Sequence, residues 1–124
     1  MAVSAIRQFQ VLPSAARTAA VNSADFTNPG GAKGLRVWVK VTVDPAAAAV
    51  TFTIQGKTQQ GDYYTLLASA ALAAVATTTL VIHPDIAASA NVNALNVLPH
   101  TWRVAVTVAD ADSFTYSVGA EYLA

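Results

Sequence analysis

The residues able to carry catalytic or metal chemistry are few in this chain. There are two histidines, His83 and His100, no cysteine, and a single glutamate, Glu121. Each histidine stands beside a proline. A zinc site needs three or four suitably spaced ligands, and the sequence has no His-x-His or HExxH pattern to supply them. We therefore predict that the chain binds no metal ion and no other cofactor.

The remaining polar motifs are more typical of turns than of active sites. Asp110 and Asp112 could offer oxygens to Ca²⁺, but no further acidic residues follow at EF-hand spacing, so we predict an Asp-stabilised hairpin turn. The segment Gly30–Gly34 lacks the GxxxxGK(S/T) frame of a phosphate-binding loop and is typical of a glycine turn. There is no G-x-S-x-G nucleophile motif, and Glu121 has no partner in the sequence for acid–base catalysis. The sequence predicts that the protein is not an enzyme.

Aromatic side chains are the better candidates for binding. The segment Leu35–Val43 alternates aliphatic and polar residues, which is typical of a strand with one face in the core. Trp38 breaks the pattern, because it falls on the polar phase between Arg36 and Lys40. Either another layer of the protein covers this ring, with Arg36 or Lys40 stacked on it, or the ring contacts another subunit. Outer-face aromatics can also stack on sugars. The aromatic candidates are Trp38, Tyr63 and Tyr64, and the candidate protein-interface residues on this strand are Arg36, Trp38 and Lys40.

Composition indicates one domain with a surface suited to association. The chain has 124 residues, and its seven Lys and Arg balance seven Asp and Glu. A nucleic-acid-binding protein would normally show a basic excess, so we predict no direct nucleic-acid partner. Only 11% of residues are charged against 54% hydrophobic, and surfaces near zero net charge associate readily. We expect a homo-oligomer or a lattice-bound protein, covered in large part by copies of itself or by a partner.

One apolar stretch raises two alternatives. Residues 65–82 carry no charge over 18 positions, close to the length of a membrane span. Ala, Ser and Thr dilute the stretch, and it lacks the flanking residues of a span, so we predict no membrane insertion. Residues 66–76 are rich in helix formers and could form a buried helix instead of strands. The N-terminus lacks the basic and apolar regions of a secretory signal.

About seven segments have the alternation or β-branched composition of strands. They are residues 17–21, 35–43, 50–55, 63–68, 77–82, 101–109 and 114–122. The last two predict an antiparallel hairpin, and residues 56–61 predict a hairpin loop. The pattern as a whole predicts an all-β fold, an antiparallel two-sheet β-sandwich of about seven strands, immunoglobulin-like or jelly-roll.

The first residues are the least regular part of the chain. Residues 1–21 are predicted to be an extended N-terminal arm or edge segment, and residues 22–124 the β-sandwich domain. Pro13 stops any helix there. The segment is either a loosely held or edge-pairing tail, or an arm that becomes ordered on a neighbour. In the second case its anchors, and thus candidate interface residues, are Ile6, Phe9 and Leu12.

Several whole segments resemble a group of short virion structural proteins of tailed bacteriophages. These segments are LPSAARTAAVNSAD (12–25), VTFTIQGK (50–57), YYTLLASAA (63–71) and LPHTWRVAVTVADADSFTYSVGAEYL (98–123). The likeness covers most of the chain from Leu12 onward and involves no catalytic signature. It implies a virion component similar to capsid decoration (cement) or minor head proteins.

The resemblance also implies partners and a location. Such a protein is made in the host bacterial cytoplasm, lies on the head exterior, and stabilises the shell by multivalent contacts with the major capsid protein and with its own copies. A tail, neck or fibre protein is the alternative within this group. A carbohydrate-binding β-sandwich module, using Trp38, is the alternative from another class.

Overall fold

The computed structural model describes residues 5–44, 49–109 and 113–124, and in these it contains ten β-strands and no helix. The strands are β1 (Ala5–Arg17), β2 (Val21–Asn22), β3 (Phe26–Thr27), β4 (Gly34–Val43), β5 (Val50–Lys57), β6 (Tyr63–Ala68), β7 (Ala76–His83), β8 (Asn93–Leu95), β9 (Thr101–Val108) and β10 (Phe114–Leu123). The predicted turn at Asp110 and Asp112 lies outside the described residues, as does the Ile6 side chain.

The strands form two sheets. The first has the order β1-β10-β4-β7-β8, and the second has the order β2-β9-β5-β6, with β3 also pairing with β9. Every pair is antiparallel except β7–β8, which is parallel. The all-β, largely antiparallel prediction is confirmed, but the strand number is ten and not about seven. Among the strands that the sequence pattern missed or misplaced are β2, β3 and β8. These have only two or three residues each and are too short to show the alternation of apolar and polar residues.

The core lies between the two sheets. On β4 the aliphatic phase from Leu35 to Val41 is buried, while Arg36, Trp38 and Lys40 lie on the outer phase, as the alternation predicts. Rings meet across the gap. Phe52 of the second sheet packs edge-on against Tyr116 of the first at a centroid distance of 5.1 Å, and Trp102 packs likewise against Tyr122 at 6.1 Å.

The hairpin predicted for the last two long strands is wrong. β9 pairs with β5, β2 and β3, whereas β10 pairs with β1 and β4, so the two strands lie in different sheets. Each strand has one apolar face, and the two faces bury each other across the core instead of lying side by side. Alternation specifies which face of a strand is buried, but it does not specify the neighbouring strand.

The apolar stretch at residues 65–82 is not helical. β6 ends at Ala68 and β7 begins at Ala76, and between them Leu72 forms an isolated antiparallel bridge with Val50. The alternative of a buried helix is therefore wrong for this segment. The predicted hairpin of β5 and β6, in contrast, is present. In the described part of the chain, no helix has the length and apolar character needed to cross a membrane.

The N-terminal segment is part of the first sheet. β1 runs antiparallel to β10 over its whole length, with irregular register around Leu12. The side chain of Phe9 contacts the rings of Phe26, Trp102 and Tyr122 at centroid distances of 4.9 to 5.9 Å. Leu12 is also buried in the core. The expected extended arm is thus not confirmed, because Phe9 and Leu12 pack within their own chain.

Candidate functional site

The outer face of the first sheet carries a depression beside Trp38. Gln10, Gly119, Trp38 and Thr79 stand directly opposite one another on β1, β10, β4 and β7. Because Gly119 has no side chain, the row has a gap next to the indole. The resulting concavity has a volume of about 360 Å³. It is lined by Gln8, Phe9, Gln10, Trp38, Ser117, Val118, Gly119 and Ala120.

Trp38 forms one wall of this depression. Its ring is half-buried, and its Cε3 atom lies 4.0 Å from the point where a Cβ atom at Gly119 would stand. The sequence left open that Arg36 or Lys40 stacks on this ring. Within the described residues, the cations placed over aromatic rings lie over other rings, and Arg36 instead pairs with Glu121. Lys40 is exposed.

A buried carboxylate organises the adjacent row of the same face. Glu121 is only 2% exposed and stands between Gln8 on β1 and Arg36 on β4. Its Oε1 accepts a hydrogen bond from Arg36 Nη1, and its Oε2 accepts one from Gln8 Nε2 at 3.1 Å. A buried charge is tolerated only when it is paired and hydrogen-bonded, and here both oxygens are. The pair makes the row electrically neutral and fixes the position of Gln8.

The sequence identified only part of this site. It named Arg36, Trp38 and Lys40 because Trp38 breaks the alternation of β4. It missed Gln8, Gln10, Gly119 and the role of Glu121, since these residues come next to Trp38 only through the pairing of β1, β10 and β4. The one available signal was that Gly119 and Glu121 share the polar phase of β10. The interface role predicted for Arg36, Trp38 and Lys40 stays a prediction.

A second polar cluster lies on the outer face of the other sheet, around Tyr63. The guanidinium carbon of Arg103 lies 3.4 Å from the centroid of the Tyr63 ring, and the Tyr63 hydroxyl donates to the Asp25 carboxylate at 2.8 Å. Lys57 Nζ binds the same carboxylate at 3.0 Å. The Tyr63 hydrogen bond and then the Lys57 ammonium hold the pKa of Asp25 below its ordinary value, and Asp25 in turn raises the pKa of Lys57. The Asp25 carboxylate is thus paired with Lys57 and with the Tyr63 hydroxyl, and the Arg103 guanidinium covers one face of the Tyr63 ring. Tyr64 is exposed and covers the backbone of Gly56.

In the described part of the chain, no group of three or more His, Cys, Asp or Glu side chains is arranged to hold a metal ion. The two histidines therefore belong to no metal centre there. His83 is fully buried. The backbone N–H of Asp85 donates to its Nδ1 at 3.0 Å, and its Nε2 lies 2.8 Å from the backbone oxygen of Ala124. Both ring nitrogens are therefore engaged, Nδ1 within the turn that follows β7 and Nε2 between the ends of β7 and β10. His100 is exposed.

Exposed aliphatic side chains lie at one edge of the first sheet. The short strand β8 borders this sheet, and the segment around it exposes three aliphatic side chains within six residues, Val92, Leu95 and Val97. Leu95 is 62% exposed and Val97 is 55% exposed. We call these three residues the β8 patch. Val75, 63% exposed, lies apart from it in sequence, before β7.

Comparison of the chain with protein-family models and with curated proteins gives no match.

Proposed function

We propose that this protein is a structural component of a tailed-bacteriophage virion, a head decoration (cement) protein that binds the capsid shell by contacts with several subunits. The resemblance of residues 12–25, 50–57, 63–71 and 98–123 to short phage virion proteins supports this class. The partners are the major capsid protein and neighbouring copies of the chain, and the location is the head exterior. A tail, neck or fibre position is the alternative within the same class.

The order of the strands in the two sheets is consistent with this proposal. Eight of the strands form two sheets of four, β1-β10-β4-β7 and β2-β9-β5-β6, and most connections between them pass from one sheet to the other. This order favours a β-sandwich with jelly-roll connectivity over an immunoglobulin-like one. Jelly rolls are common in viral capsid proteins, but the same fold also occurs in lectins, so it is not evidence of function by itself.

The observation that carries the proposal is the β8 patch. Exposed side chains such as Leu95 and Val97 gain free energy when a partner covers them, at roughly 25 cal/mol per Å² of apolar surface. Because each is already partly buried, the remaining gain is about 1 kcal/mol per side chain. One such contact is weak. A protein that touches more than one capsid subunit converts the second contact into an intramolecular event, which multiplies the affinity.

The patch is tested by the double variant Leu95→Ser/Val97→Ser. The variant should keep the far-ultraviolet circular dichroism and thermal midpoint of the wild type, because both side chains are exposed. Its co-sedimentation with capsid shells that lack the protein should fall at least about tenfold. Val75→Ser is the matched control, since Val75 is equally exposed but outside the β8 patch. Equal sedimentation of the double variant and the control would refute the contact.

A second contact face and the location are tested in the same system. The sequence predicts a second contact through Arg36, Trp38 and Lys40, and Lys40→Ala and Trp38→Ala in the sedimentation assay test that prediction. Labelling of purified virions with an antibody to the chain, viewed by electron microscopy, separates head from tail or neck. Label restricted to tails would contradict the decoration role while leaving the virion class intact.

A further inference from the structure

We propose that the depression between Trp38 and Gly119 is a binding site for a neutral saccharide ring. This inference does not rest on the decoration role, because it uses a different surface from the β8 patch and a different class of ligand. It rests on the shape of the depression, the chemistry of its lining and its charge.

The shape suits a flat ring stacked on the indole. Trp38 is the one bulky side chain in its cross-strand row, since its neighbours are Gly119 on β10 and Thr79 on β7. The absence of a side chain at Gly119 leaves open the space beside the ring. The volume of about 360 Å³ is at the small end of the roughly 300–1,000 Å³ range of ligand sites, which fits a short stretch of saccharide. The C–H bonds on the apolar face of a pyranose can pack against the electron-rich face of the indole.

The polar groups around the indole suit hydroxyl groups. Gln8 and Gln10 bring primary amides from β1, and Ser117 brings a hydroxyl from β10. Each of these groups can both donate and accept hydrogen bonds, as sugar hydroxyls do. Gln8 is held in place because its Nε2 donates to Glu121, and this bond leaves its carbonyl oxygen to accept from a ligand. A preorganised polar group costs less to fix when the ligand binds.

The lining of the depression favours a neutral ligand. Two cations flank it on β4: Arg36, opposite Glu121, is paired with that buried carboxylate, whereas Lys40, opposite the lining residue Ser117, is exposed. An acidic ligand such as a phosphate is held best by charged hydrogen-bond donors, and none of the side chains that line the depression is charged. A protein partner would instead be favoured by an apolar hot spot, whereas here amides and a hydroxyl surround a single aromatic ring. A protein interface at Trp38 is therefore an outcome of the test and not the proposal.

The test uses the tryptophan fluorescence of the full chain. Trp102 is fully buried between the sheets, so a change on ligand addition reports on Trp38, the only other tryptophan. The probes are hexasaccharides of glucose, mannose, galactose and N-acetylglucosamine, with polyglutamate as an acidic control. We expect saturable quenching or a spectral shift with at least one hexasaccharide and none with polyglutamate.

Two variants separate binding from folding. Gly119→Ala adds a methyl group whose nearest neighbours, the Phe9 backbone oxygen at 3.7 Å and Trp38 Cε3 at 4.0 Å, are at ordinary contact distances. It should therefore fold normally while narrowing the depression, and it should weaken saccharide binding at least about threefold. Trp38→Ala, followed by calorimetry because its fluorescence is lost, should weaken it at least about tenfold. Gly31→Ala is the glycine control, since nothing lies within 4 Å of the added Cβ.

Three results would overturn the proposal. The first is no response to any hexasaccharide. The second is that Gly119→Ala binds the saccharide as tightly as Gly31→Ala and the wild type do. The third combines two observations: calorimetry detects no saccharide binding to the wild type, and Trp38→Ala changes oligomer size or capsid sedimentation. Together they would show that the face around Trp38 is a protein interface. None of these depends on the β8 patch, so failure here and failure of the decoration role are distinguishable.

Discussion

Truncation of Phe9 decides whether the N-terminal residues are a structural strand or a free arm. The Phe9 ring lies 4.9 Å from the Tyr122 ring, 5.4 Å from Phe26 and 5.9 Å from Trp102, and so joins β1 to both sheets. The guanidinium carbon of Arg7 lies 5.4 Å from the same ring. Loss of a fully buried Phe side chain costs about 3–5 kcal/mol. Phe9 is partly buried, so we expect Phe9→Ala to lower the free energy of unfolding by about 2–3 kcal/mol.

Urea denaturation followed by fluorescence measures this effect, because Trp102 contacts the Phe9 ring. With a slope of about 1–3 kcal/mol per molar urea, the midpoint should fall by about 1 M or more. Gln10→Ala is the matched control on the same strand, since Gln10 is exposed and should change the stability by less than about 0.5 kcal/mol. An anchor reserved for a neighbouring subunit would be dispensable in the isolated chain. Equal midpoints for Phe9→Ala and Gln10→Ala would therefore refute the structural role of Phe9 and restore the arm.

Two further substitutions test the core and the close approach of two strands. The Tyr116 hydroxyl is buried without a hydrogen-bond partner in the described part of the chain, so Tyr116→Phe should leave the protein equally stable or more stable by about 1 kcal/mol. Burial raises the pKa of Tyr116 above its ordinary 10.0, so the unfolded chain loses this proton first. Stability should accordingly fall as the pH rises above about 10, and less in Tyr116→Phe, as urea midpoints at pH 8 and 10.5 will show. Gly34→Ala would place a Cβ atom only 2.2 Å from the Ile82 backbone oxygen. It should cost more than about 2 kcal/mol, or prevent folding, whereas thermal melts of Gly31→Ala should match the wild type.

The parts of the fold that could be predicted are those in which one strand carries its own signal. Leu35–Val43 was identified because period-two alternation directly encodes a buried and an exposed face. Pairing is different, because it depends on residues far apart in sequence. β9 and β10 both present apolar faces, and nothing in either segment states that the two face each other across the core. β1 was hidden for a local reason, since Pro13 and the register shifts around Leu12 interrupt its alternation.

The candidate site, too, could be predicted only where one strand carries the signal by itself. Trp38 could be identified because it violates the pattern of its own strand. Gln8 and Glu121 lie 113 positions apart, and their hydrogen bond exists only because β1 pairs with β10 in one particular register. A shift of β1 by one residue along β10 would turn Gln8 toward the core and Phe9 toward solvent. The site is thus a property of the sheet and not of any segment.

The two outer faces leave different groups available for binding. On the second sheet, Arg103 covers one face of the Tyr63 ring, and Lys57 pairs with Asp25. That ring face and those two charges are therefore not available to a ligand. On the first sheet, the Arg36–Glu121 pair compensates its own charge without covering Trp38. The chain has no formal net charge, so long-range attraction adds little to its association. Binding at the β8 patch and at Trp38 must therefore come from apolar contact and short hydrogen bonds, and its strength should change little with ionic strength.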